Sequence, residues 1–579
     1  MSICHPVIRV RLSFLRLQSV ILFKGHSLIF LRIVSLLHHS QSTPDFPTFR
    51  YLDPTMRFRP THQNPPLSNK RLHIHRPDTL GEDAHVSCGP FLTVSGGAHD
   101  EDLQELHHQS FPFDLLPLEL QVEIFSHCLP LFPHFDIDEA PLLITRVCKA
   151  WRDLAYNTPK LWSTFEIEIT GSGTSTPLHD LSIMSTIQLW LERSKAVPLN
   201  VRVMHVPVGR IPDPRSAQIL SLLVPEARRW KHVQFTLPSS SISSIQNVHP
   251  DGFPELRSLT LQMKGLWNSE PSFDLSSMRI PWHQLTSLDL RLEHGSLLDL
   301  EQCLEILSQA ERLAAFTATV NCVFDHPETL SEGLSLPTLQ TLHLIPRGGG
   351  HVGVGPMNDS PEACLVKFLK LLSLPAIRTL HIEWLLLSNG PTSPWPKTHL
   401  DFLSFLNEVS PTIRTLSIAY LPVTEIELME CLSQVPELAD LDLRFSLSDL
   451  EHDPITENLL TACTLPSTSF VSDSTGQNQD SEDHTTTTTT SSSMHTTPLL
   501  PALESWNIQC HGKRYTHTGL LSMLSSRWGV KHTHGTNSHT RLKSFHLLSM
   551  NSVPQALQRC VQTWGNEGFD ISIDSLIIR

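Results

Sequence analysis

One phrase of apolar and polar positions recurs through the latter half of the chain: Leu, two polar residues, Leu, any residue, Leu. It reads Leu256-Arg-Ser-Leu-Thr-Leu, Leu285-Thr-Ser-Leu-Asp-Leu, Leu339-Gln-Thr-Leu-His-Leu, Ile377-Arg-Thr-Leu-His-Ile, Ile413-Arg-Thr-Leu-Ser-Ile and Leu438-Ala-Asp-Leu-Asp-Leu. Divergent copies begin at Leu313, Leu503 and Leu542. The closing Leu-x-Leu alternates with period two, which predicts a short strand with one buried face. Copies are spaced by about 25 to 40 residues, with helix-like intervals at Leu300–Leu307, Cys364–Leu372 and Ile426–Leu432. A strand–loop–helix unit of this kind cannot bury its own leucines. Stacked copies are therefore expected to form a parallel sheet backed by helices, an irregular leucine-rich-repeat-like α/β solenoid curving around a concave binding face. By alternation the residues between the leucines point outward, making Thr260, Asp289, His343, His381, Ser417 and Asp442 the candidates for contact with a target.

A different pattern opens at residue 111. Phe111-Pro-Phe-Asp-Leu-Leu-Pro leads into a stretch where Leu120, Ile124 and Cys128 recur with the i, i+4, i+8 spacing of one helical face. Pro117 suits the first helical position, where a missing N–H costs nothing, and Glu119 and Glu123 suit the positive N-terminal end. Pro130 and Pro133 end that helix. A second amphipathic stretch, Leu142 to Ala155, places Leu143, Val147, Trp151 and Leu154 on one face and stops before Pro159. Phe165, Ile167 and Ile169 then alternate as a strand, and a helix is predicted over 181–194.

Leu116-Pro-Leu-Glu-Leu, then Ile124-Phe, then Val147-Cys-Lys-Ala-Trp, then Leu161-Trp, resemble the F-box pattern L-P-x-E-[LI], I-F, V-C-[KR]-x-W, L-W, element by element and in order. The longer insert from Pro130 to Thr145, with Trp190-Leu-Glu-Arg-Ser and Pro198-Leu, is similar to the large set of basidiomycete F-box proteins. The resemblance implies a short all-α module that docks on the Skp-type adaptor of a cullin–RING ubiquitin ligase, with the leucine-rich array holding a protein substrate. It makes Leu116, Pro117, Leu120 and Ile124 the first anchors, joined by Val147, Cys148 and Trp151, which match positions that hold the helices together and partly face the adaptor. Leu154, Trp162 and Phe125 are expected in the module's own core. The competing expectation is a binding scaffold whose F-box-like helices only cap the array, because a repeat stack needs an end cap.

The boundaries expected on this reading are an extension and linker over 1–110, the F-box over 111–168, the array over 169–464, an insertion over 465–498 and further repeats over 499–579. Residues 41–110 are rich in Pro, His, Ser and Asp, and 465–498 carry six threonines at 485–490 followed by three serines; neither can support a packed core, so both are expected to be disordered. The acid-free start, broken by Arg9, Arg11, Arg16, Lys24 and Arg32, is too interrupted for a membrane span and reads as a poorly ordered extension, with a mitochondrial transit peptide as the alternative.

Composition narrows the function classes. The 579 residues carry 43 Lys and Arg against 58 Asp and Glu, a formal charge of −15, which argues against a nucleic-acid partner. Eleven cysteines lie singly, without a C-x-x-C pair, as expected of reduced thiols in the cytoplasm or nucleus. Histidine is abundant at 33, with close pairs at His38/His39, His73/His75, His107/His108 and His532/His534, yet no Cys or acid completes a four-ligand spacing, so no metal is expected. Gly348-Gly-Gly-His-Val-Gly-Val-Gly lacks the Gly-Lys-Ser/Thr ending of a phosphate loop. There is no G-x-S-x-G elbow and no H-E-x-x-H helix. The expectation is a non-catalytic subunit without a cofactor or membrane partner. An enzyme would instead need titratable strand residues such as Asp289, His343, His381 and Asp442 to converge.

Overall fold

The computed structural model describes residues 113–169, 177–205, 214–245, 252–263, 278–292, 297–324, 333–348, 360–385, 398–466, 498–529 and 540–576, with single positions at 248, 275 and 395. The predicted N-terminal arm, nearly all of the Ser/Thr-rich insertion, the glycine-rich loop after Gly348 and the four histidine pairs lie outside the described residues. The chain divides into two units, Met1–Gln121 and Val122–Arg579. Of the first, the structure describes a 3-10 turn at Phe113–Leu115 and the opening of the helix Leu118–His127, whose amides at Leu120 and Gln121 donate to Pro117 O.

The second unit is mixed α/β. Its strands are β1 (Thr164–Ile169), β2 (Leu199–His205), β3 (Trp230–Leu237), β4 (Ser258–Met263), β5 (Ser287–Arg291), β6 (Leu298–Asp299), β7 (Ala315–Asn321) and β8 (Leu334–Ser335). They continue as β9 (Thr341–Gly348), β10 (Leu372–Ser373), β11 (Thr379–Glu383), β12 (Thr415–Ala419), β13 (Asp440–Arg444), β14 (Ser505–Cys510), β15 (Ser544–Ser549) and β16 (Asp570–Ser575). Fourteen of them form one sheet whose main path follows chain order from β1 to β16; β6 adds to β7, while β8 and β10 pair separately. Neighbours on the main path are parallel throughout. Parallel neighbours cannot be joined by a hairpin, so each connection must travel back to its starting end. Helices such as Leu300–Gln309, Pro361–Lys370, His399–Val409 and Glu425–Ser433 occupy those returns; they cover the predicted intervals Leu300–Leu307 and Ile426–Leu432 and most of Cys364–Leu372, whose last residue opens β10.

Each leucine phrase lands where its alternation predicts. Leu259 and Leu261 pair with Leu288 and Leu290, and further along Leu342 and Leu344, Leu380 and Ile382, Leu416 and Ile418, and Leu441 and Leu443 keep the same register. All of these side chains are buried, each contributing on the order of 1.5–3 kcal/mol relative to exposure. The first leucine of the phrase precedes the strand and turns the chain into it. At that turn one main-chain carbonyl accepts two successive amides of the next copy: Arg257 O from Thr286 and Ser287, Thr286 O from Ala314 and Ala315, Ala314 O from Gln340 and Thr341, and onward through Gln340, Arg378, Arg414, Ala439 and Glu504. The divergent copies at Leu313, Leu503 and Leu542 take part in the same spine and lead into β7, β14 and β15.

Helix starts are fixed locally. Thr424 and Glu427 form a capping box, Ser360 accepts from Ala363 N with Pro361 at the first helical position, and Thr456 and Thr516 cap their helices; each cap is worth about 1 kcal/mol.

One expectation is corrected. The amphipathic stretch 142–155 is not one helix: a 3-10 turn at Ile144–Arg146 is followed by the helix Lys149–Tyr156, and the break falls at Cys148, whose backbone is extended and whose Sγ accepts from Trp151 N. That cap costs the predicted stripe its continuity, leaving Val147 exposed while Trp151 is buried. The sheet begins at Thr164, where the alternation of Phe165, Ile167 and Ile169 predicts a strand, and all three are core residues. Ahead of it, the main chain covers the outer edge of β1, with Glu166 N donating to Pro133 O at 2.9 Å. Beneath lies an aromatic cluster in which Trp190 meets Trp162, Phe135 and Phe165 at 5.2, 5.1 and 5.8 Å. No helix among the described residues is long and apolar enough to cross a membrane.

Candidate functional site

Two groups of residues are candidates. The first belongs to the motif-bearing helices. In the segment up to Gln121, Leu115, Leu118 and Leu120 are 68%, 62% and 40% exposed. Pro117 is exposed and Leu116 half-buried. Gln121 is buried, and its side chain donates to Leu116 O at 2.8 Å. Four residues on, Phe125 is fully buried and Ile124 half-buried, so the buried face is offset from the predicted 120/124/128 face. In the second unit, Val147 is 36% exposed and Cys148 is exposed. Trp151 packs on Phe125 with ring centroids 5.1 Å apart, so it holds the helices together and offers little surface. Leu131 and Ile137 are exposed leucine and isoleucine side chains that the motif does not mark; nothing in the sequence distinguishes them from core residues.

The second group is a row across the sheet. All six residues predicted to face outward occupy one register position: Thr260 pairs with Asp289, Asp289 with Thr317, Thr317 with His343, His343 with His381, His381 with Ser417, and Ser417 with Asp442. The row extends through Asn507, His546 and Ser572 on one side and through Gln234, Arg202 and Glu166 on the other. Every member is polar. Neighbours satisfy one another: Ser417 Oγ and Asn507 Nδ2 both donate to Asp442 at 2.8 Å, and Arg202 bridges Gln234 and Glu166 at 2.9 and 3.3 Å.

The centre of the row differs from its ends. His343 and His381 stack with ring centroids 3.8 Å apart and planes 2° from parallel. Two residues further along its strand, Glu383 places Oε2 at 3.8 Å from His343 Nε2. Arg444 Nη2 donates to His381 Nε2 at 2.7 Å and its Nε lies 3.2 Å from Asp442 Oδ2; Arg291 Nε lies 3.1 Å from Asp289 Oδ1. Burial, reinforced by His343, Arg444 and Arg291, drives His381 down to about 2. Burial likewise lowers His343, although Glu383 and Asp289 pull the other way. Both rings are therefore neutral at physiological pH. For Glu383 burial favours the neutral acid, but the facing His343 ring and the Arg444 and Arg291 charges outweigh it and hold the carboxyl below its usual range. Asp289 goes the other way, raised by burial against the opposing pull of Arg291 and His343.

Arg291, Glu383 and Arg444 were not among the predicted residues, although period two places i and i+2 on the same face and would have found them. A cleft of about 430 Å³ lies away from this centre, at the start of the row, lined by His134, Phe135, Asp136, Glu166, Glu168 and Ile183. No protein-family model matches the chain, and no curated protein matches it.

Proposed function

We propose that this chain is a substrate-recognition subunit of a cullin–RING ubiquitin ligase, docking on a Skp-type adaptor through an F-box at residues 111–168 and holding a protein target on a leucine-rich solenoid. The observation that carries the reading is the exposure of Leu115, Leu118 and Leu120 within and just ahead of one short helix. Leu115 and Leu118 forgo more than half of the stabilisation that burial would supply and Leu120 a large part of it, and such patches mark interaction sites. They flank Leu116-Pro117, the sharpest element of the F-box resemblance, and present the kind of helical ridge that an adaptor groove accepts. The sequential parallel strands, with leucines in register and an all-polar outer row, support the leucine-rich half of the reading. On it, the protein contributes effective concentration and no chemistry of its own.

The capped-scaffold alternative also has an observation in its favour: Pro133 O already accepts from Glu166 N on the open edge of β1, as an end cap would. Adaptor binding separates the two. The full chain should bind purified Skp-type adaptor, and Leu116→Ala with Pro117→Ala should weaken binding roughly thirtyfold or more, the loss expected for two buried anchors worth about 2–5 kcal/mol together. A folded wild-type chain that does not bind the adaptor would overturn the ligase reading and leave the scaffold.

A further inference from the structure

The polar cluster at the centre of the row holds one carboxylate, Glu383, whose close contact is an imidazole. Arg291 and Arg444 each sit within 3.2 Å of an aspartate of their own strand. Glu383 has no arginine that close among the described residues. Among the described residues its salt-bridge contact is the His343 ring, at 3.8 Å, too far for a hydrogen bond. His343 Nε2 is buried and makes no hydrogen bond of its own. A half-buried carboxylate beside two imidazoles is the donor set of a borderline transition-metal ion, for which imidazole and carboxylate are both good ligands.

We infer that His343, His381 and Glu383 form a binding site for a divalent transition-metal ion of the zinc class. Their ligand atoms already lie within 4.8 Å of one another, against the separation of about 3.4 Å that a tetrahedral ion with bonds near 2.1 Å requires. Two adjustments close the site. The imidazole planes are parallel, and lone pairs in parallel planes cannot meet at one ion, so one ring must turn about its χ2 axis, where the energy well is broad. Arg444 must release His381 Nε2, which it can do while keeping Asp442. His381 and Glu383 are i and i+2 on β11 and His343 is the register partner of His381 on β9, so the backbone holds the three ligands on one face before any ion arrives. Three protein ligands leave a fourth position open to water or to a group on a bound partner. The site does not depend on adaptor docking, and it can be tested without the adaptor.

The test is titration of the full chain with Zn²⁺ alone in competition with a chromophoric chelator, repeated with Co²⁺ to read coordination from the visible spectrum. The histidine-rich segments elsewhere in the chain supply background, so the informative quantity is the difference between variants. Wild type should bind one tight equivalent more than the triple variant His343→Ala, His381→Ala, Glu383→Gln. Glu383→Gln alone, which keeps shape and hydrogen-bonding capacity, should weaken that equivalent at least tenfold with an unchanged far-ultraviolet circular dichroism spectrum. His546→Ala, elsewhere in the same row, should leave it intact. Arg444→Ala should tighten it, because the donor competing for His381 Nε2 is gone. Equal stoichiometry and affinity in wild type and the folded triple variant would overturn the site and assign the ion to the background segments. A Co²⁺ spectrum that stays octahedral would overturn the four-coordinate, zinc-class arrangement.

Discussion

Arg527 is fully buried, and its three partners are main-chain carbonyls: Cys463 O at 2.6 Å, Leu499 O at 2.7 Å and Leu500 O at 3.0 Å. Those carbonyls lie on opposite sides of the Ser/Thr-rich insertion, so one guanidinium fork ties the chain's departure to its return. Leu499 N donating to Ala462 O at 2.8 Å and Leu465 N donating to Ser526 Oγ at 3.1 Å complete the junction. Arg527→Met keeps most of the stem and removes every donor. Each carbonyl left buried and unpaired costs about 1–3 kcal/mol, while several kcal/mol of guanidinium desolvation is relieved, leaving a net loss of about 2–4 kcal/mol. Arg527→Lys keeps the charge but cannot present a planar fork to three acceptors, and it should be no more stable than the methionine variant. Hydrogen exchange followed by mass spectrometry on peptides covering Glu457–Ala462, Ser505–Cys510 and His517–Trp528 reads the effect where it arises. The expected drop in protection is roughly thirtyfold to several hundredfold, since about 1.4 kcal/mol is a factor of ten. A change under threefold in both variants would refute the reasoning, because it would mean that the three carbonyls find water or new partners at no cost.

The same junction predicts tolerance of shortening. Because Leu499 already meets Ala462, deleting residues 470–494 removes only loop-closure entropy, and chemical denaturation should find the chain unchanged or about 1 kcal/mol more stable; a loss of more than that would show that the deleted segment contributes packing. Thiol chemistry gives a further check. Burial pushes the Cys463 thiol up to about 11 and raises Cys303 and Cys510 as well, whereas Cys148 is exposed at its helix cap. Iodoacetamide at neutral pH should alkylate Cys148 well before Cys303, Cys463 or Cys510 in the native chain, and bound adaptor should protect it. Labelling of Cys463 as fast as Cys148 would contradict the burial.

What could be read from the sequence is what period and spacing encode locally. Leu-x-x-Leu-x-Leu specifies a turn into a strand with one apolar face, and it does so at every copy, including the divergent ones, because a strand's two-residue alternation is a property of its own few residues. The six outward residues follow from the same rule. The break at Cys148 was not legible, since Leu143, Val147, Trp151 and Leu154 fit a continuous helix and only the thiol's acceptance of Trp151 N interrupts it. Nor were the row's pairings, because which residue lies beside which is decided across returns of about 25 to 40 residues whose lengths vary. Register alone brings His343 against His381, and only then do Glu383, Arg444 and Arg291 become one electrostatic cluster. Arg527 is the extreme case. As a lone arginine near a helix end it reads as a solvated charge, and only the closure of the chain around it turns it into the buried link between two segments distant in sequence.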